Sequence, residues 1–143
     1  ATDIGWLIGA ELRAIGIAIV VNLMFWVVGV ATTFVIPLEA GGMGLTIYLW
    51  FSRVLALASD VATGATAGWL ARRRGGAHGA IADAIGGLAT LVGSVAIGYA
   101  RMGEAGFMAT TGYWLTTLSW MLFGVGVAAI AGAIAVGLRQ RRG

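Results

Sequence analysis

The chain has 143 residues, 59% of them hydrophobic and 10% charged, with a mean hydropathy of +0.93. That leaves too little polar surface to cover a soluble core of ordinary size, so an integral membrane protein is expected. A formal net charge of +3, with all nine basic residues arginine and clustered at predicted helix ends, is too small and too localised for nucleic-acid binding. With no cysteine and a single histidine, His78, neither a disulfide framework nor an all-protein zinc site is expected.

Ala1 reads as a start left by removal of an initiator methionine. Asp3 and Glu11 stand where a secretory signal would carry basic residues, so no removable targeting segment is expected. Residues 3–13, with Trp6 as an anchor, suit either a short interfacial helix or an extension of the first span. Four apolar runs follow, at about 14–36, 45–71, 79–100 and 113–138, each matching the roughly 20 residues a helix needs to cross about 30 Å of hydrocarbon. No alternating pattern supports strands. The reading is therefore an all-α, four-helix bundle forming one transmembrane domain over residues 1–143.

Arginine bias sets the orientation, since arginine-rich loops stay on the cytoplasmic side. Arg13, then Arg72, Arg73 and Arg74, then Arg139, Arg141 and Arg142 fall on one side, with Arg101 opposite and Arg53 within a span. Both termini are thus expected in the cytoplasm of a bacterial or archaeal cell, and Arg72–Arg74, Arg139, Arg141 and Arg142 are expected to contact anionic lipid headgroups. Tyr48, Trp50, Trp69, Tyr99, Tyr113 and Trp114 lie near span ends, where amphipathic rings suit the interface.

The decapeptide from Glu39 to Tyr48, EAGGMGLTIY, recurs sixty-five residues later as EAGFMATTGY from Glu104 to Tyr113 with six positions matching. The same shift sets Ser52 on Thr117, Ala67 on Gly132 and Arg74 on Arg139. A duplicated helical hairpin in parallel orientation follows, with a pseudo-two-fold axis expected along the membrane normal. Glu39 and Glu104 would then approach each other and could hold a cation, with Met43 and Met108 as soft copper(I) ligands, or they are solvated loop residues.

Small residues recur every fourth position: Ser52, Ala56, Asp60, Gly64 and Gly68 in the second span; Ala82, Gly86, Thr90, Ser94 and Gly98 in the third; Gly124, Ala128 and Gly132 in the fourth. Such stripes let backbones approach closely where lipid gives no hydrophobic drive to association. Asp60 lies on its stripe eleven residues from Ala71, about 16 Å of helix rise and hence near mid-membrane. An aspartate there costs about 2.5–3.5 kcal/mol to insert and must be protonated, partnered or wet. Asn22 is the candidate partner by depth, with Ser59 and Thr63 nearby. Arg53, at i−7, is expected to snorkel to the interface. Asp83, read as one turn into the third helix, is expected to pair with the neighbouring arginines or, as a pH-sensitive pair, with His78.

No catalytic constellation is present: there is no G-x-S-x-G, no H-E-x-x-H and no cysteine nucleophile. The segment Gly64–Arg74 (GATAGWLARRR) followed by His78–Asp83 (HGAIAD) resembles a broad group of uncharacterised small four-helix bacterial and archaeal membrane proteins, whose second helix ends in A-G-x-x-A-R before an H-G-A turn. The resemblance covers under a third of the chain and implies topology only. The function expected is a non-catalytic accessory or scaffolding subunit of a larger membrane complex or homo-oligomer, its partners membrane lipids and other subunits or itself. The alternative is a small proton- or cation-coupled transporter or channel using Asp60. No cofactor is required, although bound lipid is expected and a quinone or pigment between Trp26, Trp120 and Phe123 is a third possibility.

Overall fold

The computed structural model describes residues 2–35, 42–102 and 111–143, which form four α-helices: α1 (Thr2–Val35), α2 (Met43–Leu70), α3 (Gly75–Met102) and α4 (Thr111–Arg142). Even the 28-residue α2 and α3 are about 42 Å long, more than a hydrocarbon layer requires. Among the described residues, three helices carry stretches long and apolar enough to cross a membrane: Glu11–Val35, Gly75–Ile97 and Leu115–Arg142. The remaining helix, α2, has the length but also carries Arg53, Asp60 and several hydroxyl side chains.

Two expected boundaries change. Thr2 to Val35 is one continuous helix, so residues 3–13 extend the first span and are not a separate interfacial helix; Ala10 to Ala14 contains strong helix formers and no cap or proline that would break the chain there. The third helix starts at Gly75, four residues earlier than expected, because the reversal is completed within 71–74. Ala71 is extended, Arg74 adopts a left-handed φ of 54°, and the Arg74 carbonyl accepts the His78 N–H at 3.1 Å as the first bond of α3.

The central pair is α2 and α3, each packed against the other three helices, whereas α1 and α4 make no contact with each other among the described residues. Contacts run in parallel between α1 and α3, where Asn22 meets Asp83 and Trp26 meets Ser94, and between α2 and α4, where Gly64 meets Ala128 and Gly68 meets Gly132. The α1–α2 and α3–α4 hairpins thus have the same orientation. The expected two-fold axis does not relate them: it would exchange α1 with α3 and α2 with α4, so the α2–α3 contact would demand an α4–α1 contact. Sideways displacement of one hairpin beside the other accounts for the observed pairing instead.

Among the described residues, the buried apolar positions are all alanine: Ala14, Ala18, Ala67, Ala71, Ala82, Ala128 and Ala135. The largest fully buried side chain is Thr63. Large apolar residues face outward on every helix, among them Met24, Val54, Val92 and Leu122. That inversion suits close backbone packing inside and an apolar surround outside.

Candidate intramembrane polar site

Glycines create the space for the site. A Cβ added to Gly64 or Gly68 would collide with the α4 backbone at Ala128 or Gly132, and one added to Gly79 would lie 2.5 Å from the Ala128 oxygen. Helices α2, α3 and α4 therefore meet backbone to backbone. Other glycines act as sockets for polar or aromatic side chains. A Cβ on Gly86 would sit 2.8 Å from Asn22 Oδ1, one on Gly93 would sit 2.7 Å from the Trp26 ring, and one on Gly124 would sit 2.7 Å from Asp60 Oδ2. The small-residue stripes thus hold Asn22 against α3 and Asp60 against α4 as well as bringing helices together, and Gly93, beside the α3 stripe, does the same for Trp26.

At the centre, Asn22 Nδ2 donates to Thr63 Oγ1 at 3.3 Å and to Asp83 Oδ1 at 3.2 Å, joining α1, α2 and α3. Asn22, Thr63 and Asp83 are 6%, 0% and 4% exposed, which removes water as an alternative partner. Asp60 is half-buried against Gly124 of α4, one helical turn before Thr63, and so stands beside the Asn22–Thr63–Asp83 group. Helices α1, α2 and α3 therefore supply the polar groups of one cluster, and α4 supplies the glycine beside it. No arginine or histidine pairs with either carboxyl among the described residues.

Several sequence expectations change here. The Asn22 amide reaches Asp83 and Thr63, so its link to Asp60 passes through Asp83. Asp83 does not pair with the arginines or with His78. Because α3 starts at Gly75, Asp83 lies eight residues in, about 12 Å of rise, and turns into the bundle. The pattern held a signal for this: Asp83 stands at i−3 and i−7 from Gly86 and Thr90, on the face of their stripe. His78 instead donates Nδ1–H to the Arg74 carbonyl at 2.8 Å and turns Nε2 toward Glu11 Oε2 at 3.7 Å, while Arg73 lies 3.9 Å from the other Glu11 oxygen. Serine and threonine hydroxyls on the stripes divide their roles. Ser52 and Thr90 bond their own helix carbonyls, while Ser94 accepts the Trp26 indole N–H at 2.9 Å.

Arg53 stacks its guanidinium 4.2 Å over the exposed Trp120 ring, away from Asp60. Trp120 and Phe123 pack edge to face and are largely exposed on α4, whereas Trp26 is held against α3. Since α1 and α4 do not touch, these three aromatics do not enclose the shared quinone or pigment pocket considered from sequence.

At the arginine-rich end, Arg139 Nη1 donates to the Trp69 carbonyl at 2.6 Å and the Ala71 carbonyl at 3.4 Å, capping the last turn of α2. Arg142 lies 5.9 Å from the Trp69 ring centre, and Arg72, Arg73, Arg74 and Arg141 are exposed. Glu39 and Glu104, the paired loop candidates, and Met108 lie outside the described residues. The chain matches no known family model, no curated protein and no solved structure.

Proposed function

We propose that the chain is an integral membrane protein that binds a proton or small cation at the Asp60–Asp83 pair, as a small proton- or cation-coupled transporter or channel. The observation that carries this reading is the placing of two carboxyls in one cluster inside a helical bundle, Asp60 a turn before Thr63 and Asp83 bonded with Thr63 to the same Asn22 amide, without a basic partner among the described residues. Two ionised carboxylates placed in one buried cluster repel each other, and a shared proton or a bound cation relieves that repulsion. A purely structural clasp needs no acid, because Asn22 and Thr63 already bond across helices. Ionisable residues facing the interior of such bundles commonly mark ion pathways.

The membrane setting is supported by the outward apolar side chains and the three helices of sufficient length and apolarity. Clustering of arginines at one end supports both termini in the cytoplasm, and the proposal involves no catalysis.

A non-catalytic accessory or scaffolding role is the second reading. Its main motivation, small-residue stripes in excess of internal need, is weakened because the stripe glycines Gly64, Gly68, Gly86, Gly124 and Gly132 are used inside the bundle. What still favours it is the open space beside Gly16 of α1 and beside Gly126 and Gly137 of α4, where another helix or a second copy could approach closely.

Proteoliposomes containing the full chain separate the two. Proton flux read by an entrapped pH dye, or sodium flux read by an entrapped sodium dye, is expected above protein-free vesicles and should fall to background in Asp60→Asn and Asp83→Asn while assembly is retained. Flux unchanged in both variants would refute the site, and no flux in the wild-type chain would leave the accessory reading.

A further inference from the structure

We infer that a cleft at the arginine-rich end is a binding site for the phosphate headgroup of an anionic phospholipid. The inference rests on the membrane reading and is independent of transport. Because α1 and α4 do not touch, a gap of about 570 Å³ remains between them over the end of α2. Its lining combines Arg13 of α1, Arg72 of the turn and Arg139 of α4 with apolar Ala14, Ile17 and Leu70. Among the described residues, no acidic side chain lines it.

This composition fits one ligand class. Three guanidiniums from three chain segments concentrate positive charge around an opening, and guanidiniums bind phosphate oxygens through paired, charge-assisted hydrogen bonds. Arg139 is already oriented, since Nη1 is tied to the Trp69 and Ala71 carbonyls, which leaves Nε and Nη2 to turn toward the opening. Ile17 and Leu70, 41% and 39% exposed, give the cleft an apolar wall, which a soluble phosphate does not need and an acyl chain does. The ligand is thus a phospholipid whose phosphate meets the arginines while its chain lies along α1 and the end of α2.

The test is native mass spectrometry of the detergent-solubilised full chain with phosphatidylglycerol or phosphatidylcholine added. One phosphatidylglycerol should be retained in preference to phosphatidylcholine. Arg13→Gln should weaken retention about tenfold, equivalent to about 1.4 kcal/mol, whereas Arg141→Gln, with the same loss of charge outside the cleft, should weaken it by much less. Ile17→Trp, which fills the apolar wall without altering charge, should also lower retention; size-exclusion profiles and thermal melts verify that each variant is folded. Equal retention of the two lipids, or equal losses from Arg13→Gln and Arg141→Gln, would overturn the inference. Displacement of the lipid by millimolar inorganic phosphate without any effect of Ile17→Trp would overturn it in favour of a soluble anion. Lipid retention requires no flux, so this result and the transport assay can fail separately.

Discussion

Replacing Gly79 by alanine tests whether backbone contact among α2, α3 and α4 holds the bundle together. The added Cβ would lie 2.5 Å from the Ala128 carbonyl oxygen, 3.1 Å from Gly64 Cα and 3.2 Å from the Ala128 carbonyl carbon. Ordinary contact begins near 3.4 Å, so α3 and α4 would have to separate by 3.4 − 2.5, about 0.9 Å. Both obstacles are backbone, which cannot rotate aside as a side chain can. Overpacking of this kind costs about 1–3 kcal/mol. The same change at Gly126, where nothing lies within 4 Å, adds a methyl to open space and gains up to about 1 kcal/mol of helix propensity. Thermal and SDS denaturation of the purified proteins in one mild detergent, followed by circular dichroism, should place Gly79→Ala below the wild type and Gly126→Ala at or above it. Equal stability of the two variants would refute the packing argument.

Asn22→Ala should lower stability by about 1–2 kcal/mol. Interhelical hydrogen bonds in membranes average about 0.6 kcal/mol and reach about 2, and here one amide serves two buried acceptors. Ser119→Ala, which removes only a bond to the Leu115 carbonyl of its own helix, is the control, and an equal loss in both would discount the cluster. Arg74→Gly should raise the melting temperature. A left-handed residue with a Cβ costs about 1–2 kcal/mol, partly offset by the extra freedom of glycine in the unfolded chain, for a net gain of about 0.5–1 kcal/mol; a drop in the melting temperature would argue against strain at the turn.

The four helices were legible because about 20 consecutive apolar residues have few alternatives to a helix, and the arginine-rich turn at residues 72–74 was legible from charge. The parallel hairpins were anticipated from the decapeptide repeat, although half of that repeat lies outside the described residues. Missed elements share a physical cause. The early start of α3 depends on a left-handed Arg74, an unfavourable conformation for arginine that local propensity does not select. Recruitment of Asp83 followed from that start, because four further residues place it a turn deeper.

Composition and period alone thus determine that this chain is helical and apolar-faced, with small-residue stripes and an aspartate, Asp60, placed on one of them. These are properties of a single helix, set by side-chain chemistry and a period of 3.6. Only the tertiary structure decides that α2 and α3 form the middle pair, that Gly86, Gly93 and Gly124 are sockets for Asn22, Trp26 and Asp60, and that Asn22 bonds both Thr63 and Asp83. A stripe of small residues permits close approach without naming its partner. The choice is made by which neighbour's backbone and polar groups fill the space together, a many-body packing condition that no one helix carries.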